Sequence, residues 1–183
     1  MKKLVLVLFS IFVLAGCGPS KAHEAADLAK QADQHYNSGD LQSAEAVYQK
    51  SLDTAEDPEV RQKLTTTQNE IAALDAVRKS LNELKSSKLE ILQATEPADQ
   101  LEVAKRIETI VTDLPNISAP ESTGVSYYLE KLKNDTDLFM VQTNISLYIT
   151  YLQSGISGED SFSKLSDSID IFLKDHSAIS NYK

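Results

Sequence analysis

From Glu59 to Ala94 the chain runs without a glycine or a proline. Val60, Leu64, Thr67, Ile71, Leu74, Arg78 and Leu81 fall near a seven-residue repeat there, and Val77, Leu84, Ile91 and Leu92 widen the stripe. That length and period predict one long helix, which needs other helices to cover its apolar side. Thr67 and Arg78 interrupt the seam, so packing within the chain is expected ahead of a free coiled-coil dimer. Self-association through Val60 to Leu92 is the alternative.

The rest of the composition agrees with helix. Tryptophan is absent, glycine is scarce, and Ala, Leu, Lys, Glu and Gln dominate long stretches. Cys17 is the only cysteine, so no disulfide can form within the chain, and stability must come from buried helix faces. The expected fold is all-α: a helical hairpin, a long helix and an antiparallel helical array.

Ahead of this body, Lys2 and Lys3 precede an apolar run, Leu4 to Val13, broken only by Ser10. A short cationic region, an apolar core and small residues are the pattern of a secretory signal peptide. The run is too short for a transmembrane helix, which takes about 20 residues. Leu14-Ala15-Gly16-Cys17 follows, and it resembles the lipobox of bacterial lipoproteins. The resemblance implies cleavage after residue 16 and a diacylglyceryl group on the Cys17 sulfur, whose two acyl chains anchor stably where one would not. Residues 17–21 would be the lipidated N-terminus and a short spacer. An ordinary signal peptide with an incidental cysteine is the other reading.

Loss of Lys2 and Lys3 leaves 16 basic against 27 acidic residues, a net charge of about −11. Such a chain is ill suited to nucleic acid, which calls for clustered Lys and Arg. It is equally ill suited to gripping anionic lipid by charge, so membrane attachment falls to Cys17.

Residues 22–58 read as two helices. Ala25, Leu28, Ala29, Ala32 and Tyr36 share one side of the first. Asn37-Ser38-Gly39-Asp40 turns the chain, with Gly39 free to take the left-handed conformation and Asp40 able to cap the next helix. Ala44, Val47, Tyr48, Ser51 and Leu52 face inward from the second helix, and Asp57-Pro58 ends the unit. From Ala25 to Pro58 the pair resembles a single tetratricopeptide repeat, carried by Ala32, Tyr36, Gly39-Asp40, Ala44, Tyr48, Ser51, Leu52 and Pro58. It departs from that family at Gln31, at His35 and in the late position of Pro58, and no second copy follows. A generic helical hairpin is the plainer reading. Such units normally stack in threes or more, so downstream helices must cover this one. The family lines its concave surface with the first helix of each repeat, which implies Asp33, Tyr36 and Asn37 as partner contacts.

Residues 59–114 hold the long helix and a second one that starts at Pro97, a residue suited to a first turn, and stops at Pro115. Leu101, Ala104, Ile107, Val111 and Leu114 form its buried face. Residues 115–124 read as a loop, in which Ser118 and Glu121 have capping-box spacing. Residues 125–183 hold the last helices: one from about Thr123 to Gln153, with a break expected near Asn134-Asp135, and one capped from Ser157 and Asp160 that buries Phe162, Leu165, Ile169 and Phe172. Leu138 to Leu152 is the most apolar part, yet Asn144 and the threonines mark it as a core helix. The tail from His176 is expected to fray.

Convergent chemistry is missing from the pattern. His23, His35 and His176 stand far apart, and His23 with Asp27 would supply only two metal ligands. Lipid would occupy the only thiol, and neither a nucleophile elbow nor a phosphate-binding glycine loop is present. An enzyme is therefore not expected, nor a cofactor or metal. Tyr127, Tyr128, Tyr148 and Tyr151 are expected mainly in the core, with one or two exposed to anchor a partner.

These features point to a membrane-anchored, extracytoplasmic scaffold or adaptor that binds an envelope protein or peptide. The alternatives are a carrier that holds a lipid or other hydrophobic ligand along Leu138 to Leu152, and a self-associating spacer. Gly18 after Cys17 resembles outer-membrane sorting, whereas the excess of lysine over arginine leans toward a cell with one membrane. Cell membrane and outer membrane both stay open.

Overall fold

The computed structural model describes residues 20–121, 123–156 and 158–181. Every regular element among them is helical, which makes the fold all-α. The seven α-helices are α1 (Lys21–Asn37), α2 (Leu41–Thr54), α3 (Pro58–Gln93), α4 (Pro97–Asp113), α5 (Gly124–Lys133), α6 (Thr136–Ser154) and α7 (Glu159–Asp175). Short 3₁₀ turns, Leu114–Asn116 and Ser177–Asn181, follow α4 and α7.

Local chemistry sets the boundaries. Ser20, Asp40, Asp57 and Asp135 each accept a backbone N–H from the first turn of the next helix, satisfying donors that have no partner within it. Pro58 and Pro97 occupy first-turn positions, where a missing N–H costs nothing. Gly39 (φ +80°) and Gly155 (φ +66°) take the left-handed conformation at the ends of α1 and α6. The break expected near Asn134-Asp135 is present, since α5 ends at Lys133 and Asp135 caps α6.

Two expected caps differ. Thr123 and Ser126 form a reciprocal capping box on α5, in place of Ser118 and Glu121. A helix started at Ser118 would have carried Gly124 in its interior, whereas Thr123 puts that glycine in the first turn. Gly158 stands at the N-cap of α7, and the cap expected from Ser157 lies outside the described residues.

The helix α3 organises the packing. Its first half joins Ala32, Ala44, Tyr48 and Leu52 of the α1–α2 hairpin through Val60 and Leu64. Its second half, from Ala73 to Ile91, enters a larger core with α4, α5, α6 and α7. The seven-residue stripe is thus covered within the chain, except that Leu92 is exposed. The hairpin is antiparallel. Ser51 Oγ donates to the Ala25 carbonyl at 2.8 Å, while Tyr48 reaches Asp33 one turn further along.

The tail expected to fray is tied down at its start. His176 is buried: its Nδ1 lies 3.0 Å from the Tyr128 hydroxyl and its Nε2 3.3 Å from Asp135 Oδ2. Its ring packs 4.6 Å, between centroids, from that of Phe172. A histidine with a partner on each nitrogen ties the end of α7 to α5 and to the cap of α6.

Candidate functional site

Of the proposed partner contacts, Asp33 and Tyr36 face the interior of the chain. Asp33 Oδ1 accepts from the Tyr48 hydroxyl at 2.5 Å and from Lys63 Nζ at 3.0 Å. Tyr36 is half-buried and packs against both cores, with the Glu70 carboxylate near its hydroxyl. Burial, reinforced by those carboxylates, holds the Tyr36 and Tyr48 phenols well above their usual range. Asn37, at the end of α1, is exposed. Cys17 lies outside the described residues.

Sequence reasoning missed Glu70. It is 1% exposed, Oε1 accepts from Val125 N at 3.4 Å, and Oε2 has no hydrogen-bond partner among the described residues. A carboxylate there complements the positive end of α5, and Tyr36 of α1 lies near it. The available signal was a glutamate in register with Thr67 and Leu74 on the buried stripe.

Two apolar surfaces stand out among the described residues. The first is the outer side of α6. Leu138, Val141, Ile145, Tyr148 and Ile149 are buried on its inner side. Phe139, Met140, Leu147 and Tyr151, on the other side, are 38% to 64% exposed. From Leu138 to Gly158 the chain carries no charged residue. A helix apolar all round is ordinarily buried all round, and here one side faces water. Tyr127, 72% exposed, stands apart on α5.

The second is a groove of about 590 Å³ between the C-terminal half of α3 and the end of α7. Leu81, Leu89, Leu92 and Leu173 give it an apolar floor. Arg78, Lys85, Lys88 and Lys174 stand on its rim, and Asp170 is the only carboxylate there among the described residues. Lys88 pairs with Asp170 at 2.5 Å, and Arg78 with Asp75 at 2.8 Å. Lys85 and Lys174 are exposed and form no ion pair among the described residues.

Among the described residues no group of three or more His, Cys, Asp or Glu is placed to hold a metal. No described helix is long and apolar enough to cross a membrane. No family model matches the chain, and no curated protein or solved structure is significantly similar to it.

Proposed function

We propose that this chain is an extracytoplasmic lipoprotein, anchored through a diacylglyceryl group on Cys17, whose helical body is a non-enzymatic adaptor for another envelope protein or peptide. The observation that carries the adaptor role is the uncharged outer side of α6. Phe139, Met140, Leu147 and Tyr151 form a stripe at helical spacing, and exposed apolar patches of that kind mark interaction sites. The aromatic members suit an interface, where a rigid apolar body brings large contact area. In this reading α1 and α2 are a single tetratricopeptide-like unit closed by α3, and Asn37 is its remaining outward contact. The anchor acts by localisation, raising the partner's effective concentration at the membrane.

The test is cross-linking of the lipidated protein in its own cells, with mass spectrometry of the adducts. One reproducible envelope protein, lost on Leu147→Glu, supports the adaptor. Cys17→Ser should release the body from the membrane fraction. Capture of the chain alone would turn the reading to a self-associating spacer.

A further inference from the structure

The groove between α3 and α7 differs in kind from the outer side of α6. It combines an apolar floor with a cationic rim on a chain whose overall charge is −9. We propose that it docks an acidic amphipathic helix of a partner protein, an inference that rests on the adaptor reading and names the chemistry of what is adapted.

Three observations select that occupant. The first is length. Leu92 lies 14 positions beyond Arg78 on α3, about 21 Å at 1.5 Å per residue, which is about four turns of a guest helix. Two neighbouring helices with apolar residues along their seam form the surface on which an amphipathic helix lays its i, i+3, i+4 and i+7 anchors.

The second is the placing of the cations. Arg78, Lys85 and Lys88 are spread over ten residues of α3, and Lys174 faces them from α7. An anionic lipid has one headgroup and would require its cations gathered at one end. A helix with acidic residues flanking an apolar stripe offers charge along the whole rim. Asp170 and Asp75 already answer Lys88 and Arg78, so Lys85 and Lys174 are the cations open to a guest.

The third is openness. Leu89 and Leu92 are each just over half exposed. A bound small ligand has about 70–90% of its surface covered, whereas an acyl chain lying against these leucines would stay wet on its outer side. A guest helix presents its own polar back to water and needs no roof. The complementary charges would chiefly fix register and speed encounter, with the leucines supplying affinity.

The experiment uses full-length, lipidated protein in its own cells, carrying the photoreactive change Leu92→p-benzoylphenylalanine, with Phe139→p-benzoylphenylalanine in parallel. Adducts are digested and the linked peptides sequenced. The expected result at Leu92 is one peptide with Asp or Glu on both sides of an apolar stripe of helical period. Its yield should fall by about tenfold or more when Lys85→Glu and Lys174→Glu are combined. The control pair Lys79→Glu and Lys133→Glu should leave it unchanged, and circular dichroism should show all variants equally folded. A phospholipid adduct, an adduct to a second copy of this chain, or no adduct at Leu92 would overturn the proposal. So would a yield that ignores the charge reversal, or one that falls equally in the control pair. Capture at Phe139 without capture at Leu92 sinks the groove and leaves the adaptor standing, whereas failure at both positions sinks both.

Discussion

Glu70 on α3 and Val125 on α5, 55 residues apart in sequence, meet where Glu70 Oε1 accepts the Val125 amide at 3.4 Å. The Tyr36 hydroxyl of α1 lies near the same carboxylate. One buried group thus stands between the N-terminal hairpin and the C-terminal half. Removing one partner from such a network strands the others, which costs more than the net value of each bond.

Glu70→Ala should therefore lower stability by about 2–4 kcal/mol, combining unpaired donors with a cavity. Tyr36→Phe should cost about 1 kcal/mol. Because the two residues share one interaction, the double variant should lose less than the sum. Urea unfolding of the four proteins gives the coupling energy directly. Strict additivity would show that Tyr36 and Glu70 do not interact.

Tyr36 and Tyr48 have folded-state pKa values above the unfolded value of about 10. Between the two values the native state binds more protons than the unfolded state, so stability falls as pH rises. The contribution is fully present below pH about 10 and is lost above it. Stability should hence show no tyrosine-linked change through neutral pH and drop in alkali. Phenolate absorbance should show Tyr36 and Tyr48 ionising only as the chain unfolds. Tyr48→Phe should shift the alkaline transition.

His176 joins the tail to Tyr128 and Asp135. His176→Ala should cost about 1–3 kcal/mol, the price of leaving a buried hydroxyl and carboxylate short of partners. Amide exchange should rise most over residues 177–181 and in the first turn of α6, whose cap is Asp135. An unchanged exchange pattern there would refute the tie.

The outer side of α6 should tolerate polarity. Leu147 is about half exposed, and Leu147→Glu should change stability by no more than about 0.5 kcal/mol. Ile145→Ala, one turn away from Val141 on the buried side, should cost about 2–5 kcal/mol. Thermal melts of the two variants test whether the two sides of α6 are energetically distinct.

Much of this architecture was legible in order. The repeat of Val60, Leu64 and Leu74 announced α3, and Gly39, Pro58 and Pro97 marked boundaries, because each acts within a few residues of itself. The relations that escaped are long-range. Tyr36 looked outward as part of a lone repeat, since nothing in sequence says that Glu70 will meet it. His176 looked like part of a loose end because its partners lie 48 and 41 residues away. The groove was equally hidden. Leu92 seemed to extend a buried stripe, and only the position of α7 shows that the stripe runs past its cover.

The helix α3 has a further effect. Its 36 residues measure about 54 Å end to end. Leu64, in the hairpin's core, and Leu89, beside the groove, lie 25 residues apart on that one rod, or about 37 Å. A rod of this kind works as a ruler. Whatever engages the far half is held at a fixed reach from the end of the body that follows Cys17. Inserting seven residues into α3 would lengthen that reach by about 10 Å while nearly preserving the facing of its apolar stripe.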